Sequence, residues 1–150
     1  MSSKLKNVLF LCTHNSARSI LAEAILNKIG SGKFKAFSAG SSPKKKPNPN
    51  TIKFLKSLNY ITEDLRSKSW DEFASPHSLK IDFIITVCDA AAKEVCPIWN
   101  GNPAKFHWSI RDPSMTAGSE SEIMASYLET YKNLSNKMDR FMADINTPSI

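Results

Sequence analysis

Cys12 and Arg18 enclose five residues in the stretch Cys-Thr-His-Asn-Ser-Ala-Arg-Ser, and Ser19 follows the arginine. A thiol, a run of small and polar residues and a guanidinium on one short tether are the parts of an oxyanion site with its own nucleophile. Before them, residues 6–12 (KNVLFLC) form a short apolar run rich in strand formers. After them, Ile20, Leu21, Ala24, Ile25 and Ile29 recur at helical spacing until Gly30 and Gly32. A strand turning directly into a helix aims successive backbone N–H groups and a helix N-terminus at one point, which favours an anion. Thr13, His14, Asn15, Ser16, Ala17, Arg18 and Ser19 are therefore expected to bind a tetrahedral oxyanion. The same field stabilises a thiolate, so Cys12 is expected to have a lowered pKa and to be nucleophilic. Arg18 would grip two oxygens of the anion, Ser19 would donate to the thiolate and Asn15 would brace the loop.

Two more cysteines follow. Cys88 ends the apolar run FIITV at 83–87, and Cys96 lies eight positions on. An odd number of cysteines argues against a secreted disulfide framework, which leaves buried small hydrophobes or chemistry. The C-x7-C spacing is not a zinc signature and no histidine cluster accompanies it, so no metal site is expected. Asp112-Pro113, taken alone, reads as a turn starter.

These residues need elements to hold them. Strands are expected at 6–12, 34–39, 83–87 and around 104–108, with helices between them and a long last helix over about 119–145. Asn48 or Asn50 can cap a helix carrying Ile52, Phe54, Leu55 and Leu58, and 69–73 reads as a short helical turn. Alternation of this kind predicts an α/β fold: one domain spanning 1–150, a three-layer sandwich around a four-stranded parallel sheet. Ligands of such sheets bind beyond the carboxyl ends of the strands, which is where Cys12 and Cys88 fall. The 150 residues, 41% of them hydrophobic, suffice for a buried core and exclude general disorder. The N-terminal apolar run stops at about five residues, too short for a signal-peptide core or a membrane span, so a cytoplasmic monomer away from membranes is expected. Twenty Lys and Arg against fourteen Asp and Glu give a net charge of +6 and suggest an anionic partner. Lys44, Lys45 and Lys46 make one short run without interleaved aromatics, which reads as a solvated loop and not as a nucleic-acid site.

The C-x5-R-S signature after the first strand resembles the low-molecular-weight protein tyrosine phosphatase superfamily. FLCTHNSARS followed by LAEAI looks most like its arsenate reductase branch. The likeness runs over essentially the full length, through FSAG at 37–40, SKSWDEF at 67–73, TVCDAAAKEVCP at 86–97 and HWSIRDPS at 107–114. It implies a low-molecular-weight phosphatase-like, flavodoxin-like fold. It also implies that Asp112 is the general acid that protonates a departing oxygen. Ser114-Met115 stands where phosphatases usually carry tyrosine, His14 where they typically carry glycine and Ala17 where many carry cysteine. These departures weaken a tyrosine phosphatase reading and leave oxyanion chemistry intact.

The resemblance further implies a thiol relay. Cys12 attacks arsenic, Cys88 attacks Cys12 to release arsenite, and Cys96 moves the disulfide to Cys88–Cys96, where an external reductant reaches it. Asp89 can cap a helix, residues 90–94 favour it and Pro97 ends it; eight helical steps would part the Cys88 and Cys96 Cα atoms by about 12 Å, against the roughly 4.4–6.8 Å a disulfide tolerates. The segment must therefore unwind or bend on oxidation. Glutathione with glutaredoxin, or thioredoxin, would supply the electrons, with no cofactor bound. The thioredoxin-coupled branch carries a potassium site, which Asn15, Glu23 and Ser38 match in part, with Trp70 where its acidic ligand is expected. Two rival functions stand beside arsenate reduction: a phosphatase using Cys12, Arg18 and Asp112, and a non-catalytic redox sensor or anion-binding protein.

Overall fold

The computed structural model describes residues 5–74, 78–94 and 97–146. Cys96 and His77 lie outside the described residues. Strands β1 (Lys6–Leu11), β2 (Phe34–Ala39), β3 (Phe83–Thr86) and β4 (Ala104–His107) form one sheet in the order β2-β1-β3-β4, every pairing parallel. Helices α1 (Arg18–Ile29), α2 (Pro49–Ser57), α3 (Asp89–Lys93) and α4 (Glu120–Asn146) connect and follow them, with short 3-10 turns at Trp70–Phe73 and Pro113–Met115. This is the four-stranded parallel α/β arrangement that the sequence predicts. No helix among the described residues is long and apolar enough to cross a membrane.

The central strand explains its own sequence. A strand buried on both faces must be apolar at consecutive positions, and Val8, Leu9, Phe10 and Leu11 are all fully buried. The pleat divides them. Val8 and Phe10 pack with Ile20, Leu21 and Ile25 of α1 and with Tyr127, Leu134 and Met138 of α4. Leu9 and Leu11 join Phe73, Ile81, Ile84 and Trp99 on the other face. That second face is covered by the Trp70–Phe73 turn and the Trp99 segment. At the start of α2, Asn48 takes the cap: its side chain accepts from the Asn50 N–H, and Pro49 fills the first turn.

Parallel register brings the functional residues to one edge. Leu11 pairs with Thr86, and Thr86 with His107. Cys12 is the next residue after β1 and Cys88 the second after β3, while β4 runs on toward Asp112.

Candidate active site

The chain from Cys12 to Arg18 turns tightly between β1 and α1, and Asn15 is its pivot. Asn15 has φ 47°, in the left-handed region that Asn tolerates better than most residues. Its fully buried side chain holds it there: Nδ2 donates to Ser19 Oγ at 2.8 Å and to Ser38 Oγ at 2.9 Å, and Oδ1 accepts from the Lys68 N–H at 2.8 Å. Three carbonyls of the turn are also tied down from outside. Thr13 O accepts from Ser42 N–H, His14 O from Lys44 N–H and Ser16 O from Asn48 N–H. Gly40 lets the backbones approach: a Cβ there would lie 2.4 Å from Thr13 O and 2.6 Å from Cys12 O.

Cys12, Arg18 and Asp112 line one cavity of about 290 Å³ together with His14, Ser16, Ala17, Lys44 and Asn48. Arg18 Nη1 donates to Ile110 O at 3.1 Å and Nη2 to Asp112 Oδ2 at 3.4 Å, so the guanidinium spans to the loop after β4. The other oxygen of Asp112 accepts from Ser114 N–H (2.9 Å) and Ser114 Oγ (2.6 Å), capping the Pro113–Met115 turn. Asp112 thus serves as the turn starter its dipeptide suggests while facing the cavity. Ser19 is fully buried behind the loop, and its hydroxyl accepts from Asn15.

The thiols of Cys12 and Cys88 are both free and buried, and each shifts the other's ionisation. Cys88 caps α3, its sulfur accepting from the Ala91 N–H at 3.4 Å with Thr13 Oγ1 3.8 Å away. A bond accepted from Cys12, supported by the backbone N–H groups of Ala91 and Thr13, lowers the Cys88 pKa to about 5 against the opposing effect of burial. The bond donated to Cys88, and burial, push Cys12 above its ordinary value despite Arg18 and the His14 N–H. The direction for Cys12 is therefore opposite to the lowered pKa that the sequence predicts, and the lowered thiol of the pair is Cys88. Sequence reasoning placed both sulfurs at strand ends but had no means of seeing that they shift each other in opposite directions.

Behind the loop lies a second network, in which the sequence pointed to Asn15, Glu23 and Ser38 but not to Lys68. Ser38 Oγ donates to Glu23 Oε1 at 2.6 Å, and the Lys68 ammonium lies 3.6 Å from the same oxygen and 2.9 Å from Arg66 O. Burial pushes Glu23 up and Lys68 down, and their mutual attraction opposes both shifts. Asn15, Glu23 and Ser38 do converge, as the partial likeness to a potassium site suggests. The position is already served by a cation of the chain's own, Lys68, so these residues do not fit a potassium ion. Among the described residues no group of three or more His, Cys, Asp or Glu side chains could hold a metal.

His107 also does more than pack. Its Nδ1 pairs with Thr86 Oγ1 (2.7 Å) and its Nε2 with Asp89 Oδ1 (2.9 Å), which also accepts from Ser109 Oγ (3.1 Å). The bond from His107, then that from Ser109, holds the Asp89 carboxyl below its usual range. These contacts pin the first turn of α3 beside Cys88. At the other end of α3, Glu94 Oε1 accepts from Thr13 Oγ1 at 3.1 Å, so α3 touches the oxyanion loop.

The chain matches the family model for low molecular weight phosphotyrosine protein phosphatase over residues 7–149. It is 30% identical over 141 residues to an arsenate reductase of Oceanobacillus iheyensis, covering 94% of this chain and 96% of that protein. A solved structure of an arsenate reductase in the reduced state superposes with a TM-score of 0.73 at 21% identity, covering 95% of this chain and all of that one. The low molecular weight protein tyrosine phosphatase of T. tengcongensis superposes at 0.69 and 22% identity, covering 93% and 99%. The protein is thus an enzyme of the low molecular weight phosphotyrosine protein phosphatase family, with arsenate reductases among its relatives in sequence.

Proposed function

We propose that the enzyme reduces arsenate to arsenite, using Cys12 as nucleophile and Cys88 as the second thiol. One observation carries this reading: a second free, buried thiol, Cys88, lies against the oxyanion loop with its sulfur 3.8 Å from Thr13 Oγ1, which a hydrolase with a single nucleophile does not need.

Arriving arsenate draws Arg18 from Asp112 to its oxygens, and the backbone of residues 13–18 takes up the remaining charge. Cys12 passes its proton to the Cys88 thiolate and attacks arsenic. Asp112, freed of Arg18 and protonated, gives its proton to the departing oxygen, which leaves as water. Cys88 releases that proton to solvent and, as the thiolate, attacks the Cys12 sulfur; the sulfur–arsenic bond breaks and its electron pair stays on arsenic. Two thiols are oxidised to a Cys12–Cys88 disulfide as arsenic(V) becomes arsenic(III). Cys96 then attacks Cys88 and frees Cys12, and an external thiol system reduces the Cys88–Cys96 disulfide. Glutathione with glutaredoxin, or thioredoxin, fills that role in a cytoplasmic monomer of one domain; the resemblance of residues 67–73 and the eight-step cysteine spacing to the glutaredoxin-coupled branch supports the former. Residual phosphate-ester hydrolysis by Cys12, Arg18 and Asp112 fits the family.

Purified enzyme given arsenate and each reducing system separately should release arsenite with at least one of them. Cys88→Ser should abolish arsenite release while sparing any hydrolysis of aryl phosphates. No arsenite with either system, alongside brisk aryl phosphate turnover, would sink this reading and establish the phosphatase alternative.

A further inference from the structure

The loop at 42–48 runs alongside the oxyanion loop and is fastened to it. Ser42, Lys44 and Asn48 donate their N–H groups to Thr13, His14 and Ser16 at 2.9, 3.1 and 3.0 Å, and His14 Nδ1 pairs with Ser42 O at 3.2 Å. The backbone that carries Lys44, Lys45 and Lys46 is therefore fixed relative to Cys12 and Arg18. All three lysines are exposed, and none forms an ion pair among the described residues. Three ammonium groups in sequence repel one another, and no carboxylate among the described residues pairs with them.

They border a second hollow. Ser16, Lys44, Lys45, Lys46, Asn48 and Pro49 line a space of about 350 Å³. Ser16, Lys44 and Asn48 also line the cavity of Cys12 and Arg18, so the two spaces share a wall. The start of α2, capped by Asn48, opens at the same place and adds its positive end. One space is thus equipped for a tetrahedral oxyanion, and its neighbour for further negative charge.

We infer that Lys44, Lys45 and Lys46 form a second anion subsite, and that the enzyme prefers a small oxyanion ligand carrying a second anionic group, of the diphosphate or bisphosphorylated class, over the bare oxyanion. The first group sits in the turn of residues 12–18, and the second takes charge-assisted hydrogen bonds from the lysines. This goes beyond arsenate reduction and rests only on the oxyanion role of the turn, not on the reaction that follows.

Binding of phosphate, methyl phosphate and pyrophosphate to Cys12→Ser enzyme, measured by calorimetry at fixed ionic strength, tests it without turnover. Pyrophosphate should bind about tenfold tighter than either single-headed ligand, the equivalent of one good charge-assisted contact. Adding Lys44→Ala, Lys45→Ala and Lys46→Ala should reduce that ratio to about twofold while phosphate affinity falls no more than about threefold. A control with Lys33→Ala, Lys105→Ala and Lys132→Ala, which removes the same charge from other faces, should keep the ratio. A ratio near one in the parent, a ratio that survives loss of the three lysines, or an equal fall in the control would each overturn the subsite. If phosphate itself fails to bind, the oxyanion role of the turn fails instead, so the two failures are told apart.

Discussion

Two buried thiols that shift each other's ionisation set the chemistry at the scale of single residues. Arg18 and the His14 N–H act on Cys12 in the direction expected of a nucleophile in such a turn, but the bond to Cys88 and burial outweigh them. Residue-resolved NMR titration of the Cβ carbons should show Cys88 ionising near pH 5, with Cys12 still protonated well above the ordinary thiol range. In Cys88→Ser the two effects of Cys88 that hold the proton on Cys12 disappear, and Cys12 should titrate at lower pH than in the parent. A parent enzyme in which Cys12 ionises first would refute the assignment. The sign for activity follows. A depressed thiol pKa keeps the thiolate available above it and loses it as pH falls through it, so arsenite release should decline below about pH 5 for want of a base at Cys88. Cys12, Arg18, Cys88 and Asp112 were each legible in the sequence, because their spacing and neighbours follow the chain. The location of the charge was not, because it depends on a contact between residues 76 positions apart in sequence.

Elements are joined to one another through the back of the turn. Asn15 binds α1 through Ser19, β2 through Ser38 and the 66–69 segment through Lys68, while Glu23 and Lys68 close the network. The strands and helices that carry these residues could be read from apolar periodicity; Asn15, Glu23 and Ser38 could be grouped only through the family resemblance, and Lys68 not at all, since polar partners so far apart leave no periodic trace. Lys68→Met would strand the Glu23 carboxylate in a buried site, and loss of one partner from a buried pair costs about 3 kcal/mol. The melting temperature should drop and the KM for arsenate should rise, and Glu23→Gln in the same chain should recover most of both losses. Equal impairment of the single and double variants would show that Lys68 matters for packing alone. With Lys68 intact, rates in sodium and potassium buffers should agree; a clear potassium requirement would contradict the placement of the ammonium. Gly40 makes a separate demand on this region. Gly40→Ala drives a methyl into the Cys12 and Thr13 carbonyls, which are backbone and cannot step aside. A cost of about 2 kcal/mol in denaturant unfolding is expected, with weakened phosphate binding as the turn shifts; parent-like binding and stability would show that the approach is looser than the structure has it.

Across the whole molecule, the two ends of the sheet do different work. Chemistry collects at the carboxyl ends of the strands, where Cys12, Cys88 and the loop of Asp112 meet. At the opposite end, Phe141 near the close of α4 lies against Phe34, the first residue of β2, at 5.7 Å between ring centroids, and against Phe83, the first of β3, at 5.2 Å. It also meets Phe106 of β4 at 5.7 Å. One ring therefore binds three of the four strands to the last helix, on the side of the sheet that α1 shares. Its removal leaves a cavity among aromatic edges and faces that cannot close without moving strands, and Phe141→Ala should cost about 3–5 kcal/mol. Because Phe141 lines neither the oxyanion cavity nor the lysine hollow, kcat and KM measured well below the lowered melting temperature should match the parent. A fall in kcat/KM at a temperature where the variant is fully folded would instead show that the helix transmits its packing through Trp108, which also touches Phe141 at 6.2 Å, to the loop of Asp112. In that event the division of the sheet into a stabilising end and a reacting end fails.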